Sequence, residues 1–319
     1  GAGEVIAAVT GWSPMVGAVV VYALVTTYVI VGGVRGVGWT NVLQGIAMLV
    51  VVWGLGFWIP DKLFGGVGPM FDRVAAERPQ WLTLPGPGPT TPWQYSAEIL
   101  VSILGFSMWP QVFMKCFTAR SARLVQLSAV LYPTFLFFLV PLVFIGYAAV
   151  LEGGPADDGV LLWMLERPAL GDATGAFAFV AFAILAASMS TGDALLHAGG
   201  SILVRDVVVG GLGRDLDERS QTRMMRGVVL VLAATAIVVL QVAGGTSVVD
   251  LLLLAYAIPI QFLPLTLAGL YWRRANRVGA TWGLSLGLGT VALFFGLKQL
   301  APSVYTLLNP ADLQIGVLR

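Results

Sequence analysis

Apolar residues run along this chain in blocks of roughly 20, a length that lets a helix cross the hydrocarbon core of a bilayer. The blocks place eight membrane helices near residues 14–33, 37–59, 96–117, 122–151, 174–205, 224–243, 247–271 and 278–299. Strands of a membrane barrel would show short segments of alternating polarity, and the sequence has none. The pattern therefore predicts an all-α, polytopic transmembrane helix bundle, with residues 1–319 forming one membrane domain. Composition agrees, since 57% hydrophobic residues, 11% charged residues and a mean hydropathy of +0.85 lie outside the range of a soluble domain.

One apolar block carries polar groups on a single face. In FAILAASMSTGDALLHAGGSILVRD (182–206), Ser190, Asp193, His197 and Ser201 fall within roughly 80° of one another at 100° per residue, with Ala187, Thr191 and Ala194 beside them. An ionisable group at bilayer depth costs about 2.5–3.5 kcal/mol or more, so such a stripe faces a bundle interior, an ion path or a substrate path. Asp193 and His197 are i, i+4 neighbours, and a hydrogen bond between them is the structural alternative to an ion role.

Charge sorts the loops. If the turn between the first two spans lies in the cytoplasm, that side collects Arg35, Lys115, Arg120, Arg123, Arg205, Arg214, Arg219, Arg223, Arg226, Arg273, Arg274 and Arg277, twelve of the 18 basic residues. The other side holds the remaining six, Lys62, Arg73, Arg78, Arg167, Lys298 and Arg319, and the excess sets the orientation by the positive-inside rule. The acidic loop at 152–172, with Asp157, Asp158 and Asp172, then faces outside, as does the 60–95 connection, whose PGPGPTTPW stretch cannot continue a helix. A formal net charge of +1 gives no reason to expect nucleic acid, and the single Cys116 has no internal disulfide partner. The opening GAGEVIAAVTG has no signal-peptide pattern and reads as the end of a helix that began upstream.

Several spans contain helix breakers: Trp109-Pro110-Gln111 in the third, Pro133 and Pro141 in the fourth, and Pro259-Ile260-Gln261 with Pro264 in the seventh. Backbone freed in this way must be satisfied by neighbours or by water, which is why broken helices mark transporter binding sites. With these features in place, three motifs carry a family resemblance. Gly32-Gly33-Val34-Arg35-Gly36-Val37-Gly38-Trp39-Thr40-Asn41-Val42-Leu43-Gln44 resembles the GG-x-x-A-V-x-x-T-D-x-x-Q signature of the sodium:solute symporter family. Ala187 with Met189-Ser190-Thr191 resembles its A-x-M-S-T sodium motif, and the stretch from Leu270 to Ala280 resembles its cytoplasmic helix-end signature.

The resemblance implies a partial leucine-transporter-like inverted-repeat fold, with the eight spans standing for core helices four to ten plus one more, and the first two core helices lacking. It implies a sodium-coupled symporter in the plasma (inner) membrane that imports a small organic solute, a monocarboxylate, pantothenate or an amino acid. Na+ would be held by the Ser190 and Thr191 hydroxyls and the Ala187 carbonyl, weak neutral ligands suited to an ion that must be released each cycle. Asp193, one turn further toward the cytoplasm, would receive or guide the released ion. Where many relatives have Asp in the T-D-x-x-Q motif this chain has Asn41, which keeps an oxygen but no charge and so argues for a single sodium. Trp109 and Gln111 on the broken third span, and Tyr256 and Gln261 on the seventh, are candidates for solute contacts or a gate.

Other classes fit less well. One His and one Cys on different helices offer no metal set, and Ser190, Asp193 and His197 on a single helix cannot surround a scissile bond, so an enzyme is not expected. A symporter-like sensor module would need a cytoplasmic output domain. Gly279, Gly283 and Gly287 read as close helix packing, and Trp58, Trp93, Tyr271 and Trp272 as interfacial anchors.

Overall fold

A computed structural model describes residues 2–88, 90–155, 159–171, 174–242, 248–300 and 303–304. Arg319 and the acidic Asp157, Asp158 and Asp172 lie outside the described residues, as does the 243–247 connection. The helices are α1 (Ala2–Thr10), α2 (Pro14–Phe64), α3 (Val67–Glu77), α4 (Pro92–Ser107), α5 (Pro110–Thr118), α6 (Ala122–Phe135), α7 (Leu139–Leu151), α8 (Val160–Leu165), α9 (Thr174–Ser201), α10 (Glu218–Val242), α11 (Val248–Ala257), α12 (Leu263–Tyr271) and α13 (Arg277–Leu300). No strand occurs among the described residues. Seven helical runs among them are long and apolar enough to cross a membrane, so the molecule is an all-α multi-pass membrane protein over its described residues. Apolar side chains such as Val31, Leu43, Val50 and Ile103 are exposed, as lipid contact requires.

The first of these runs contains both of the first two expected spans. As a straight helix its 51 residues would stretch about 76 Å, far more than a bilayer. Instead it breaks at Gly33, whose φ of 54° and ψ of −152° fall in a region open essentially only to glycine. The break separates a first arm, 14–32, from a second, 34–64. Tyr28 and Thr40 would stand about 18 Å apart along a continuous helix, yet both approach the same carboxylate oxygen, so the chain folds back at Gly33.

Local chemistry fixes the ends. Ser13 caps α2 with Pro14 in the first turn, and Gly65, at φ 77°, closes it. Thr91 and Gln94 form a capping box at α4, and Asn276 caps α13 through Gly279. Two of the three expected breaks occur: α4 gives way to α5 at Met108-Trp109, and Pro259–Phe262 divides α11 from α12. In the fourth span Pro133 and Pro141 are carried inside α6 and α7, and only a short 3-10 stretch at Leu136–Phe138 separates the two.

The described residues form two compact units, 1–79 with 119–244, and 80–118 with 245–319. In the first, one core joins the second arm of α2, α3, α7, α8 and α9 through Ile59, Met70, Ile145, Met164 and Val180. Gly56 lies so close to Pro141 of α7 that a Cβ there would overlap the proline ring. A second core joins both arms of α2 to α9 and α10 through Val25, Val29, Val37, Leu196 and Val229. Gly199 and Gly200 of α9 admit Leu232, Met225 and Val229 of α10 at contact distance. In the second unit, Gly105 of α4 lies against the Tyr256 backbone, and Gly287 of α13 against the Gln261 side chain.

Candidate functional site

The polar stripe lies on α9, which runs as a regular α-helix to Ser201 and continues as a π-helix over Ile202–Gly211. Asp193 is fully buried. Its partners come from α2, and the turn at Gly33 is what brings them together. From the first arm, the Tyr28 hydroxyl donates to Oδ2 at 2.8 Å. From the second arm, the Asn41 amide donates to Oδ1 at 3.1 Å and also to the Val37 carbonyl at 2.8 Å. The Thr40 hydroxyl lies 3.3 Å from Oδ2, but its single proton has two nearer acceptors, the Gly36 and Val37 carbonyls at 3.0 and 3.1 Å.

Every one of these groups is neutral. A carboxylate buried at bilayer depth is retained only where hydrogen bonds or a cation offset its desolvation. Among the described residues no Lys or Arg pairs with Asp193. Close to Tyr28 lies Gln44, whose Oε1 is buried without a hydrogen-bond partner. The neighbourhood is thus rich in oxygen atoms: two from the carboxylate, the Tyr28 and Thr40 hydroxyls, the Gln44 carbonyl, and the Met189 carbonyl 3.5 Å from the Tyr28 hydroxyl.

His197, one turn beyond Asp193, is half-buried, and the carboxylate takes its side-chain bonds from Tyr28 and Asn41 rather than from the alternative i, i+4 pair. Asn41 likewise does more than thin the charge of its motif, because it donates directly to a carboxylate carried by the facing helix. Sequence reasoning did not single out Tyr28. Its signal is faint, one amphipathic residue in an otherwise apolar run, and its role depends on the fold-back of α2.

One turn before Asp193, the Ala187 carbonyl accepts from the Ser190 hydroxyl at 2.9 Å and from the Thr191 hydroxyl at 3.3 Å. Both hydroxyl protons are thus spent on one carbonyl of their own helix, the back-bonding that is common for Ser and Thr in membrane helices and that is the structural alternative to an ion role. Ala187 and Thr191 are exposed and Ser190 is half-buried, so the oxygen cluster is open on one side. A hydroxyl that donates to a carbonyl still has lone pairs for a cation, and three oxygens supply about half of the six or more that a hard ion takes.

In the second unit, the two helix breaks meet. Trp109, at the α4–α5 junction, stacks on Tyr256 of α11 with ring centroids 5.0 Å apart and planes 22° apart. Gln111, in the first turn of α5, is buried, with its Oε1 unpartnered. Gln261 instead donates to the Ala257 carbonyl of its own turn at 3.2 Å and fills the notch at Gly287. Cys116 is exposed and unbonded to sulfur. No group of three or more His, Cys, Asp or Glu able to hold a metal occurs among the described residues.

The sequence matches the family described as "Sodium:solute symporter family" over residues 1–156 and 167–287. It is similar to three curated proteins of Bacillus subtilis (strain 168). "Uncharacterized symporter YhjB" is 28% identical over 304 residues, 92% of this chain and 60% of the relative. "Uncharacterized symporter YodF" is 28% identical over 294 residues, 90% of this chain and 57% of the relative. "Uncharacterized symporter YwcA" is 23% identical over 318 residues, 96% of this chain and 61% of the relative. The chain spans about three fifths of the length of these relatives.

Proposed function

Because this chain belongs to the sodium:solute symporter family, we propose that the protein of which it forms part couples downhill Na+ entry to the uptake of a small organic solute. The observation that carries the reading is the fully buried Asp193, held by neutral donors one turn beyond the converging oxygens of Ala187, Ser190 and Thr191. Na+ is the cargo. Ser190 and Thr191 turn their lone pairs to it, Ala187 contributes its carbonyl, and further ligands come from outside this oxygen cluster.

A site of neutral oxygens holds a monovalent ion weakly enough to let it go. Asp193 then gives the departing ion an anionic resting point roughly one helical turn, about 5 Å, further along α9. Asn41 and Tyr28 hold the carboxylate in place, and neither competes with the ion as a positive charge would. The broken helices at Trp109 and Pro259 supply the solute end of the cycle, with the Trp109–Tyr256 stack as an aromatic gate and Gln111 and Gln261 as polar contacts. A small carboxylate is the first solute to try, followed by amino acids. The similarity to proteins named as symporters favours transport over a sensory or enzymatic role.

Uptake into liposomes holding the complete protein tests the ion site. Sodium should stimulate uptake, and Ser190→Ala or Thr191→Ala should remove that stimulation while protein yield and thermal stability stay near wild type. Full stimulation in both variants rejects the assignment.

A further inference from the structure

The outward face of α10 has a division of labour that the transport reading leaves unused. Arg219, Arg223 and Arg226 follow at i, i+4 and i+7, so their side chains share one face within roughly 60° of helical arc. With Glu218 and Thr222 they line a single open groove. The Thr222 hydroxyl donates to the Glu218 carbonyl at 2.8 Å, and none of the three guanidiniums forms an ion pair with a described residue. Even with the Glu218 carboxylate present, three positive charges face one negative.

Beyond Arg226 the exposed residues in line with the arginines become apolar, Leu230, Val231, Ala234 and Val238, and the nearby exposed Thr235 spends its hydroxyl proton on the Val231 carbonyl of its own helix. From Arg226 to Val238 the helix rises about 18 Å, close to the roughly 15 Å depth of one hydrocarbon leaflet. The opposite side of α10 is already packed on α9 through Met225 and Val229, so this stripe is the side left exposed among the described residues. A guanidinium cluster pairs with phosphate oxygens by charge and by its fixed donor fork.

We propose that this face of α10 is a binding site for one anionic phospholipid, its phosphodiester seated on Arg219, Arg223 and Arg226 and its acyl chains lying along Leu230, Val231, Ala234 and Val238. The commitment to a lipid rather than a free anion rests on the apolar stripe that continues from the groove for the length of a leaflet.

The test uses the complete protein purified into phosphatidylcholine nanodiscs and titrated with phosphatidylglycerol, with retained lipid counted by native mass spectrometry. Wild type should retain phosphatidylglycerol over phosphatidylcholine. The variant R219Q/R223Q/R226Q should bind it roughly a hundredfold more weakly, and R223Q alone about fivefold. A control variant, R273Q/R274Q/R277Q, removes the same charge from another basic turn and should keep wild-type retention. Inorganic phosphate at millimolar concentration should not displace the lipid. Equal loss in the two triple variants would reduce the effect to general surface charge, displacement by inorganic phosphate would make the groove a free-anion site, and undiminished retention in R219Q/R223Q/R226Q would remove the site altogether.

Discussion

Asp193 shows how one side chain's position can say more than its identity. Read along α9 it is a carboxylate beside a histidine, and the two readings, ion path or local hydrogen bond, compete evenly. In the fold its oxygens meet Tyr28 and Asn41 of α2, so the local pairing drops out as the account of its burial. Two substitutions separate structure from transport here. Tyr28→Phe deletes the 2.8 Å bond and should lower the stability of the complete protein by about 1–2 kcal/mol, read as a lower unfolding temperature in detergent. Asp193→Asn keeps the shape and most of the hydrogen bonding, so stability should change by less than about 1 kcal/mol. Its sodium dependence of uptake should nevertheless weaken markedly, and an unaltered dependence would leave Asp193 a structural residue only.

Among the elements, the bent helix α2 decides most. The hydropathy pattern places two spans at 14–33 and 37–59, which matches the two arms, but it does not show that they are one helical run hinged at a single glycine. Gly33→Ala forces a side chain into a conformation that costs about 1–3 kcal/mol for an L residue. It should also pull Tyr28 away from Asp193, so sodium stimulation and thermal stability should fall together, whereas Asp193→Asn affects mainly the first. Gly56→Ala is a packing test at the other end of the same helix. Its methyl group meets Pro141 at overlap distance, and the expected loss is about 1–3 kcal/mol in unfolding measurements with the sodium dependence unchanged. The proline breaks of α4–α5 and α11–α12 were legible because proline acts locally, on its own amide and on the residue before it. The stack of Trp109 on Tyr256 was not legible, since residues on two separate helices meet only once both are folded.

At the scale of the whole molecule the distribution of basic residues, twelve of 18 assigned to one side, favours placing that side in the cytoplasm. Cys116 provides a direct check, being the only cysteine, exposed, and next to Lys115 on the side expected to face the cytoplasm. A membrane-impermeant maleimide should label it in inside-out vesicles and leave it unlabelled in intact cells; labelling in intact cells would invert the topology.

The sequence by itself determined that this protein is a helical, multi-pass membrane protein of the sodium:solute symporter family, where its apolar blocks lie, and which helix carries the polar stripe. The family follows from the three motifs, while the helical, membrane-spanning character follows from transfer of side chains into hydrocarbon and from short-range backbone chemistry, both of which act along the chain. Only the tertiary structure decided which partners satisfy the buried carboxylate, that Asn41 faces Asp193 across two helices, and that Tyr28 completes the set. Hydrogen bonds between residues more than 150 positions apart depend on where a hinge redirects the chain, and hydropathy carries no record of that direction.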